Sequence, residues 1–76
     1  MEKIWLVEEI LVEGDTSYDS LHRTLDGALE ALKAGPIIGF EMVEHKDGSV
    51  EVSRFVKKFR GMWLEHYILT EVEVGE

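Results

Sequence analysis

The sequence predicts an α+β domain in which one short helix packs on one face of a mostly antiparallel sheet of four to five strands. Three observations predict it: one stretch with helical periodicity, apolar runs of strand length on both sides of it, and glycine-containing turns between those runs. A chain of 76 residues has room for a single domain, residues 1–76. The expected order of elements is β-β-α-β-β-β.

The first two strands are predicted before the helix. Ile4-Trp5-Leu6-Val7 and Ile10-Leu11-Val12 are rich in β-branched residues and indicate one long strand. The turn that ends this strand is Gly14-Asp15-Thr16-Ser17, because glycine and short polar residues favour turns. Residues 20–23 are expected to return as a short second strand.

The helix is predicted over residues 24–34. Thr24 caps its N-terminus, Gly35 supplies a left-handed residue after its last turn, and Pro36 blocks its continuation. Its apolar face carries residues at the spacing i, i+3, i+4 and i+7, namely Leu25, Ala28, Leu29 and Leu32. A helix of about three turns is not stable alone, so this face is expected to pack on the sheet.

A β-hairpin is predicted around Asp47-Gly48, which separates the apolar runs 37–45 and 50–59. A two-residue loop at Asp47-Gly48 sets the register of the hairpin. The pairs in that register are His45 with Val50, Glu44 with Glu51, Val43 with Val52, Glu41 with Arg54, and Phe40 with Phe55. After Gly61, residues 63–74 are expected to form the last strand.

One segment of the chain has a family resemblance. Residues 23–32 read Arg-Thr-Leu-Asp-Gly-Ala-Leu-Glu-Ala-Leu and lie between a hairpin and an antiparallel meander. This arrangement resembles small uncharacterised acidic α+β proteins of bacteria and their phages, in which a Thr or Ser cap precedes an alanine-bearing helix. The resemblance implies a phage or accessory bacterial protein that acts through binding, and it carries no catalytic residues.

The charge of the chain predicts the chemistry of its partner. Sixteen acidic residues against eight basic ones give a formal charge of −8, which repels nucleic acid and attracts basic surfaces. We therefore expect a basic protein partner and no direct nucleic acid binding. The N-terminal residues lack the basic start and cleavage site of a signal peptide, and no apolar run reaches the length of a membrane span. The expectation is a cytoplasmic protein with no membrane contact.

The densest acidic run is the predicted partner-binding site. It lies along the first strand and its turn and consists of Glu8, Glu9, Glu13 and Asp15, with only Lys3 nearby to neutralise it. An alternative stays open, in which the acidity only keeps a small domain soluble.

The first and last strands are apolar on both faces, although one helix covers only one face of a sheet. The uncovered face is predicted to form a seam with a second copy or another partner, through Trp5, Val7, Trp63, Tyr67 and Leu69. The alternative is that the chain covers this face itself. A homodimer is favoured because a core in a domain this small is marginal.

No residue pattern indicates catalysis, so the expectation is a protein that is not an enzyme and has no metal and no cofactor. The chain has no cysteine, and its three histidines have no metal-ligand spacing: they are His22, His45 and His66. Glu44 and Glu51 could share a proton if they lie opposite each other, although so small a domain offers little depth for a pocket. Ser17 and Ser20 are explained by a turn.

Three functions compete at this stage. The first is an inhibitor or antagonist that docks on a basic protein surface, of the kind that phages direct against nucleic-acid-binding defence enzymes, anti-CRISPR proteins among them. The second is a homodimeric structural or regulatory protein. The third is a small-molecule binder at a dimer seam, with His66, Tyr67 and Trp63 as its candidate residues.

Overall fold

One antiparallel sheet and one helix make up residues 2–75, which are the residues that the computed structural model describes. The elements follow the predicted order β-β-α-β-β-β, and they are β1 (Lys3–Ile10), β2 (Thr16–His22), α1 (Leu25–Lys33), β3 (Ile37–Glu44), β4 (Val50–Lys58) and β5 (Gly61–Glu73). The strands lie side by side in the order β2-β1-β5-β4-β3. The α+β class and the element order are therefore confirmed.

β5 is the central strand of the sheet. It is 13 residues long because residues 61–69 pair with β4 while residues 66–73 pair with β1. A strand of this length rises about 43 Å, which is close to the longest dimension of the molecule, 45 Å. The two ends of β5 therefore lie at opposite ends of the molecule.

The helix α1 has the predicted face and the predicted caps. The Thr24 hydroxyl oxygen accepts a hydrogen bond from the Gly27 amide at 3.0 Å, and Gly35 adopts a φ of +95° after the last turn. Ala28 and Leu32 are buried against the sheet, whereas Leu25 and Leu29 are partly buried. The helix is held by this tertiary packing, since nine residues are too few for a stable isolated helix.

The core lies between α1 and one face of the sheet. Besides Ala28 and Leu32, it contains the strand residues Val7, Val50, Val52, Tyr67 and Leu69. Alternate residues of a strand share a face, so the helix covers the odd-numbered side chains of β1 and β5 and the even-numbered ones of β4. The opposite set of side chains is left without a covering element.

Three residues of the predicted seam are therefore core residues. Val7, Tyr67 and Leu69 are 0%, 3% and 0% exposed, and Trp5 packs against the same cluster. Their assignment to the uncovered face was wrong. β1 and β5 are apolar on both faces, so their own alternation does not decide which face the helix covers.

The β1–β2 and β3–β4 hairpin loops have the same geometry, although they lie at opposite ends of the sheet. Between β3 and β4 the His45 amide donates to the Ser49 carbonyl at 2.9 Å, and the Gly48 amide donates to the His45 carbonyl at 3.0 Å. The loop between β1 and β2 repeats this pattern at Leu11, Gly14 and Asp15. Each loop has three residues with glycine in the third position, the arrangement that forms a bulge after a type I turn.

The three-residue loop changes the predicted hairpin register by one residue. Gly39 lies opposite Phe55, Phe40 opposite Arg54, and Glu44 opposite Val50. The predicted pairs, including Glu44 with Glu51 and Glu41 with Arg54, were wrong, because a shift of one residue moves every side chain to the other face. The first loop likewise ends β1 at Ile10 instead of Val12 and starts β2 at Thr16 instead of Ser20.

We expect Gly48→Ala to destabilise the fold by about 1–2 kcal/mol, because Gly48 has a φ of +94°, where an L side chain is strained. No atom lies within 4 Å of the position that a Cβ would take, so the loss comes from the backbone alone. Gly48→Asn should lose less, since Asn tolerates this region better. Urea unfolding of the two variants measures the difference, and equal losses would contradict the backbone explanation.

Candidate binding surface

The face of the sheet opposite α1 is called the open face. Strand pairing and alternation assign its side chains from all five strands: Ile4, Leu6, Glu8 and Ile10 of β1, Thr16, Tyr18 and Leu21 of β2, Glu41 and Val43 of β3, Glu51, Ser53, Phe55 and Lys57 of β4, and Met62, Leu64, His66, Ile68, Thr70 and Val72 of β5. No other element of residues 2–75 packs on this face.

Large apolar side chains occupy much of the open face. Leu64 and Phe55 lie opposite each other on β5 and β4 and are 50% and 38% exposed. Leu21 lies opposite Leu6 and is also exposed, as is Val43 on β3. Scattered apolar residues are normal on a protein surface, but a contiguous apolar patch marks an interaction site.

The charged groups at the centre of the open face are carboxylates. Glu8 and Glu51 flank Ile68 on the two neighbouring strands, and Glu41 lies opposite Ser53 on β3. The cation Lys57 is placed at the far end of β4, beside the β4–β5 turn. The face therefore combines apolar rows with negative charge.

Two histidines contribute to this polar centre. The Ser53 hydroxyl and His66 Nδ1 are hydrogen-bonded at 2.9 Å, and His45 Nε2 lies 2.8 Å from Glu51 Oε1. His66 sits between Ser53 and Ile10 in the pairing of the strands.

The predicted acidic run does not form one surface. Glu8 is on the open face, where Thr16 donates to its carboxylate at 3.3 Å, whereas Glu9 is on the helix-covered side opposite Tyr67. Glu13 and Asp15 are exposed in the β1–β2 loop. Neighbouring strand residues point to opposite faces, so only Glu8 of the four lies among the apolar rows.

The residues suggested for a small-molecule site are also separated. His66 is on the open face, while Tyr67 and Trp63 are on the other side of the same strand. Tyr67 is buried, and Trp63 is 56% exposed beside Lys58, whose Nζ lies 5.6 Å from the centre of the indole ring. The strand period of two residues excludes a shared pocket for these three groups.

A polar network under the C-terminal end of α1 was not predicted. Arg54 donates to the Leu32 carbonyl at 2.6 Å, to Glu65 at 2.8 Å and to the Tyr67 hydroxyl at 2.9 Å. Tyr67 in turn donates to the same Glu65 oxygen at 2.9 Å. The carbonyls of the last helical turn lack partners within the helix, so Arg54 fastens α1 to the sheet.

The network also shifts the pKa values of its members, among them Glu65 and Tyr67. Burial alone would raise the pKa of Glu65, but the hydrogen bonds and charges of Arg54, with a hydrogen bond from Tyr67, outweigh it and lower that pKa. Burial, followed by the hydrogen bond to the Glu65 carboxylate, raises the pKa of Tyr67 above its ordinary value. Each group fills a structural role, since all three hold α1 and the sheet together.

A serine and a histidine also meet on β2, without the geometry of a nucleophile. Ser20 is 2.8 Å from His22 Nε2 and 3.2 Å from Asp19, so the carboxylate contacts the serine and does not orient the histidine. Within residues 2–75 no group of three or more His, Asp or Glu side chains is arranged to hold a metal ion.

Comparison with protein-family models, with curated proteins and with solved structures finds no match for this chain. The helix that the structure describes is too short and too polar to cross a membrane. The surfaces of the molecule itself therefore carry the information on its function.

Proposed function

We propose that this protein is a non-enzymatic binding protein that docks on a basic protein surface through the open face. The observation that carries the proposal is the combination, on one uncovered sheet face, of exposed apolar rows with the carboxylates Glu8, Glu41 and Glu51. Apolar contact supplies affinity at such a surface, while carboxylates select a partner with Lys and Arg around an apolar centre.

The size of the open face suits a protein partner. Five strands spaced about 4.8 Å apart and about eight residues long make a face of roughly 600 Å². A standard protein interface buries about 800 Å² on each partner, so the open face with its loops reaches the usual size. A small ligand would need a concave pocket instead.

Charge favours a basic partner over a two-fold homodimer. A symmetric dimer through the open face would bring two sets of the same carboxylates together, on chains that each carry a formal charge of −8. Like charges placed across an interface are unfavourable, whereas Lys and Arg of a basic partner would neutralise them. The homodimeric regulatory protein is therefore the second candidate.

Occupation of a basic surface would give the protein an inhibitory role. Where that surface is the groove of a nucleic-acid-binding enzyme, a docked acidic domain would exclude the nucleic acid. The proposed activity is then that of an antagonist of a nucleic-acid-binding enzyme, of the phage type. This part of the proposal follows from the charge and from the absence of an indicated catalytic group in the sequence.

A pair of matched charge variants tests the proposal. The first replaces the open-face carboxylates, E8Q/E41Q/E51Q, and the second replaces the rest of the predicted acidic run, E9Q/E13Q/D15N. Both remove three negative charges, so they differ only in where the charges lie. The probe is a synthetic amphipathic peptide that alternates Lys and Leu, titrated by calorimetry at low salt.

We expect the open-face variant to bind this peptide roughly tenfold more weakly than wild type, since exposed ion pairs each contribute about 0.2–1 kcal/mol. The control variant should lose clearly less, and wild-type affinity should fall as salt is added. A larger loss in the control variant would move the site to the β1–β2 loop. Equal small losses in both variants, or no binding by wild type, would contradict the proposal.

A further inference from the structure

The cations of this protein are concentrated in two segments. Residues 33–40 and 54–64 contain five of the eight basic residues and no acidic residue, namely Lys33, Arg54, Lys57, Lys58 and Arg60. These segments therefore carry a formal charge of +5, while all sixteen acids and the other three cations give the rest of the chain −13. We call these two segments the basic end.

The two segments form one end of the folded molecule. They comprise the last residue of α1, the start of β3 and the β4–β5 turn, and the Lys57 amide donates to the Pro36 carbonyl at 3.1 Å. Because β5 spans the long axis and starts at Gly61, the basic end is at one end of that axis. This end of the molecule thus holds five of the eight basic residues of the chain.

The basic end also exposes large apolar side chains. Phe59 is 95% exposed in the β4–β5 turn, and Met62 is exposed beside it. A shallow groove of about 380 Å³ runs between β3 and the turn and is lined by Ile38, Lys57, Lys58, Phe59, Gly61 and Met62. A protruding aromatic next to Lys and Arg is the composition of a binding hot spot.

Several of these cations are available to a partner. Arg54 and Lys58 contact Glu65, at 2.8 and 3.9 Å. Within residues 2–75 no carboxylate lies within ion-pair distance of Lys57 or Arg60. Arg60 lies over the Phe59 ring, 5.9 Å from its centre. An acidic, partly apolar surface would satisfy both the charge and the exposed ring.

We propose that the basic end of one molecule docks on the open face of a second copy, head to tail. The open face offers what the basic end lacks, which is carboxylates among apolar rows, and the two surfaces belong to the same chain. A long polyanion is a poorer fit, because it would extend past the basic end and meet the acidic remainder of the molecule. This inference rests on the proposed function, because the open face is the surface that binds the basic end of the other copy.

Head-to-tail contact predicts an unusual salt dependence. The screening length is about 30 Å at 0.01 M salt, about 10 Å at 0.1 M and about 3 Å at 1 M. At the lowest salt two molecules, each with a net charge of −8, repel each other over the whole length of the molecule. Near 0.1 M salt this long-range repulsion is screened, whereas ion pairs in direct contact are screened much less. Association should therefore be strongest near 0.1 M and weaker on both sides. A two-fold apolar dimer would strengthen steadily with salt, and polyanion binding would weaken steadily.

Sedimentation velocity of wild type across this salt range tests the inference. At the maximum, K57Q/R60Q should weaken association roughly tenfold, and the control K3Q/K46Q, with the same charge change outside the basic end, should not. F59S should weaken it roughly thirtyfold, as expected for an aromatic hot spot, without loss of folding because the ring is exposed.

The sharpest test exchanges the charges of the basic end and the open face between two variants. The variants K57E/R60E and E41K/E51K should each stay monomeric alone and associate when mixed. The first keeps the acidic open face and has lost the basic end, whereas the second keeps the basic end and has lost the acidic open face. The inference is overturned if wild type is monomeric at millimolar concentration. It is also overturned if neither K57Q/R60Q nor F59S weakens association.

If wild type instead binds phosphatidylglycerol vesicles or oligo-dT through Lys57 and Arg60 while staying monomeric, the basic end binds a polyanion and the inference is wrong. The proposed function is judged separately, because the Lys-Leu peptide reports on the open face alone.

Discussion

Leu69→Ala is expected to destabilise this protein by about 2–5 kcal/mol, the usual loss when a buried leucine is truncated. Leu69 is fully buried at the centre of β5, where it pairs with Val7 on one side and Val50 on the other. Domains of this size have a total stability of only about 4–11 kcal/mol. The variant should therefore lose a large fraction of its stability, as measured by urea unfolding followed by tryptophan fluorescence.

Leu64→Ala is the matched control for this prediction. It is the same substitution in the same strand, but Leu64 lies on the open face and is 50% exposed. Its loss should stay below about 1 kcal/mol, because exposed substitutions change stability little. A loss in Leu64→Ala equal to that in Leu69→Ala would mean that α1 covers the other face of the sheet.

Arg54→Met should destabilise the fold by about 2–4 kcal/mol, because it leaves the Leu32 carbonyl without its side-chain donor and Glu65 without its paired guanidinium, with only Tyr67 donating to it and Lys58 3.9 Å away. The side chains of Arg54 and Glu65 are only 18% and 19% exposed, so water replaces the lost contacts poorly. Arg60→Met, at an exposed position, should change stability by less than about 0.5 kcal/mol. A double-mutant cycle with Glu65→Gln should give a coupling of about 0.5–3 kcal/mol, and additive losses would contradict the network.

The same network predicts how stability depends on pH. The pKa of Glu65 is lower in the folded protein than its ordinary value of 4.5. Its contribution is therefore complete above pH 4.5 and is lost as the pH falls through the lower, folded pKa. The stability difference between wild type and Glu65→Gln should shrink over this acidic range in urea titrations. A difference that stays constant on acidification would show that the Glu65 carboxylate is not held by Arg54.

Much of the fold was predictable from local chemistry. The helix follows from the leucine spacing together with Thr24 and Gly35, and these signals act within a few residues of one another. The hairpin at Asp47-Gly48 was predictable in place but not in register, because the same residues suit a two-residue and a three-residue loop. The choice between the two loop lengths depends on long-range packing. This packing places Met42 and Phe40 on the helix-covered face, opposite Val52 and Arg54.

Which face of the sheet the helix covers was not predictable from β1 and β5. β1 and β5 are apolar on both sides, so their sequences are compatible with a helix on either one. β4 carries the deciding signal, since Val50 and Val52 alternate with Glu51 and Ser53. The network of Arg54 could not be foreseen in the same way, because it depends on which distant segments the sheet brings together. Four of the five cations of the basic end, in contrast, lie within residues 54–60 and are visible in the sequence.

The central claim is that the open face binds a basic partner, and an NMR titration of the amide groups with the Lys-Leu peptide tests it most directly. At low salt we expect the peptide to shift amide resonances along β3, β4 and β5 around the open-face residues Glu41, Glu51 and Ile68. Methyl resonances provide the sharper comparison, because Leu64 is on the open face and Leu69 of the same strand is under the helix. Shifts at Leu64 and Ile68 that need roughly tenfold more peptide in E8Q/E41Q/E51Q would support the account. Shifts confined to the helix or to the β1–β2 loop, or the same peptide dependence in that variant as in wild type, would contradict it.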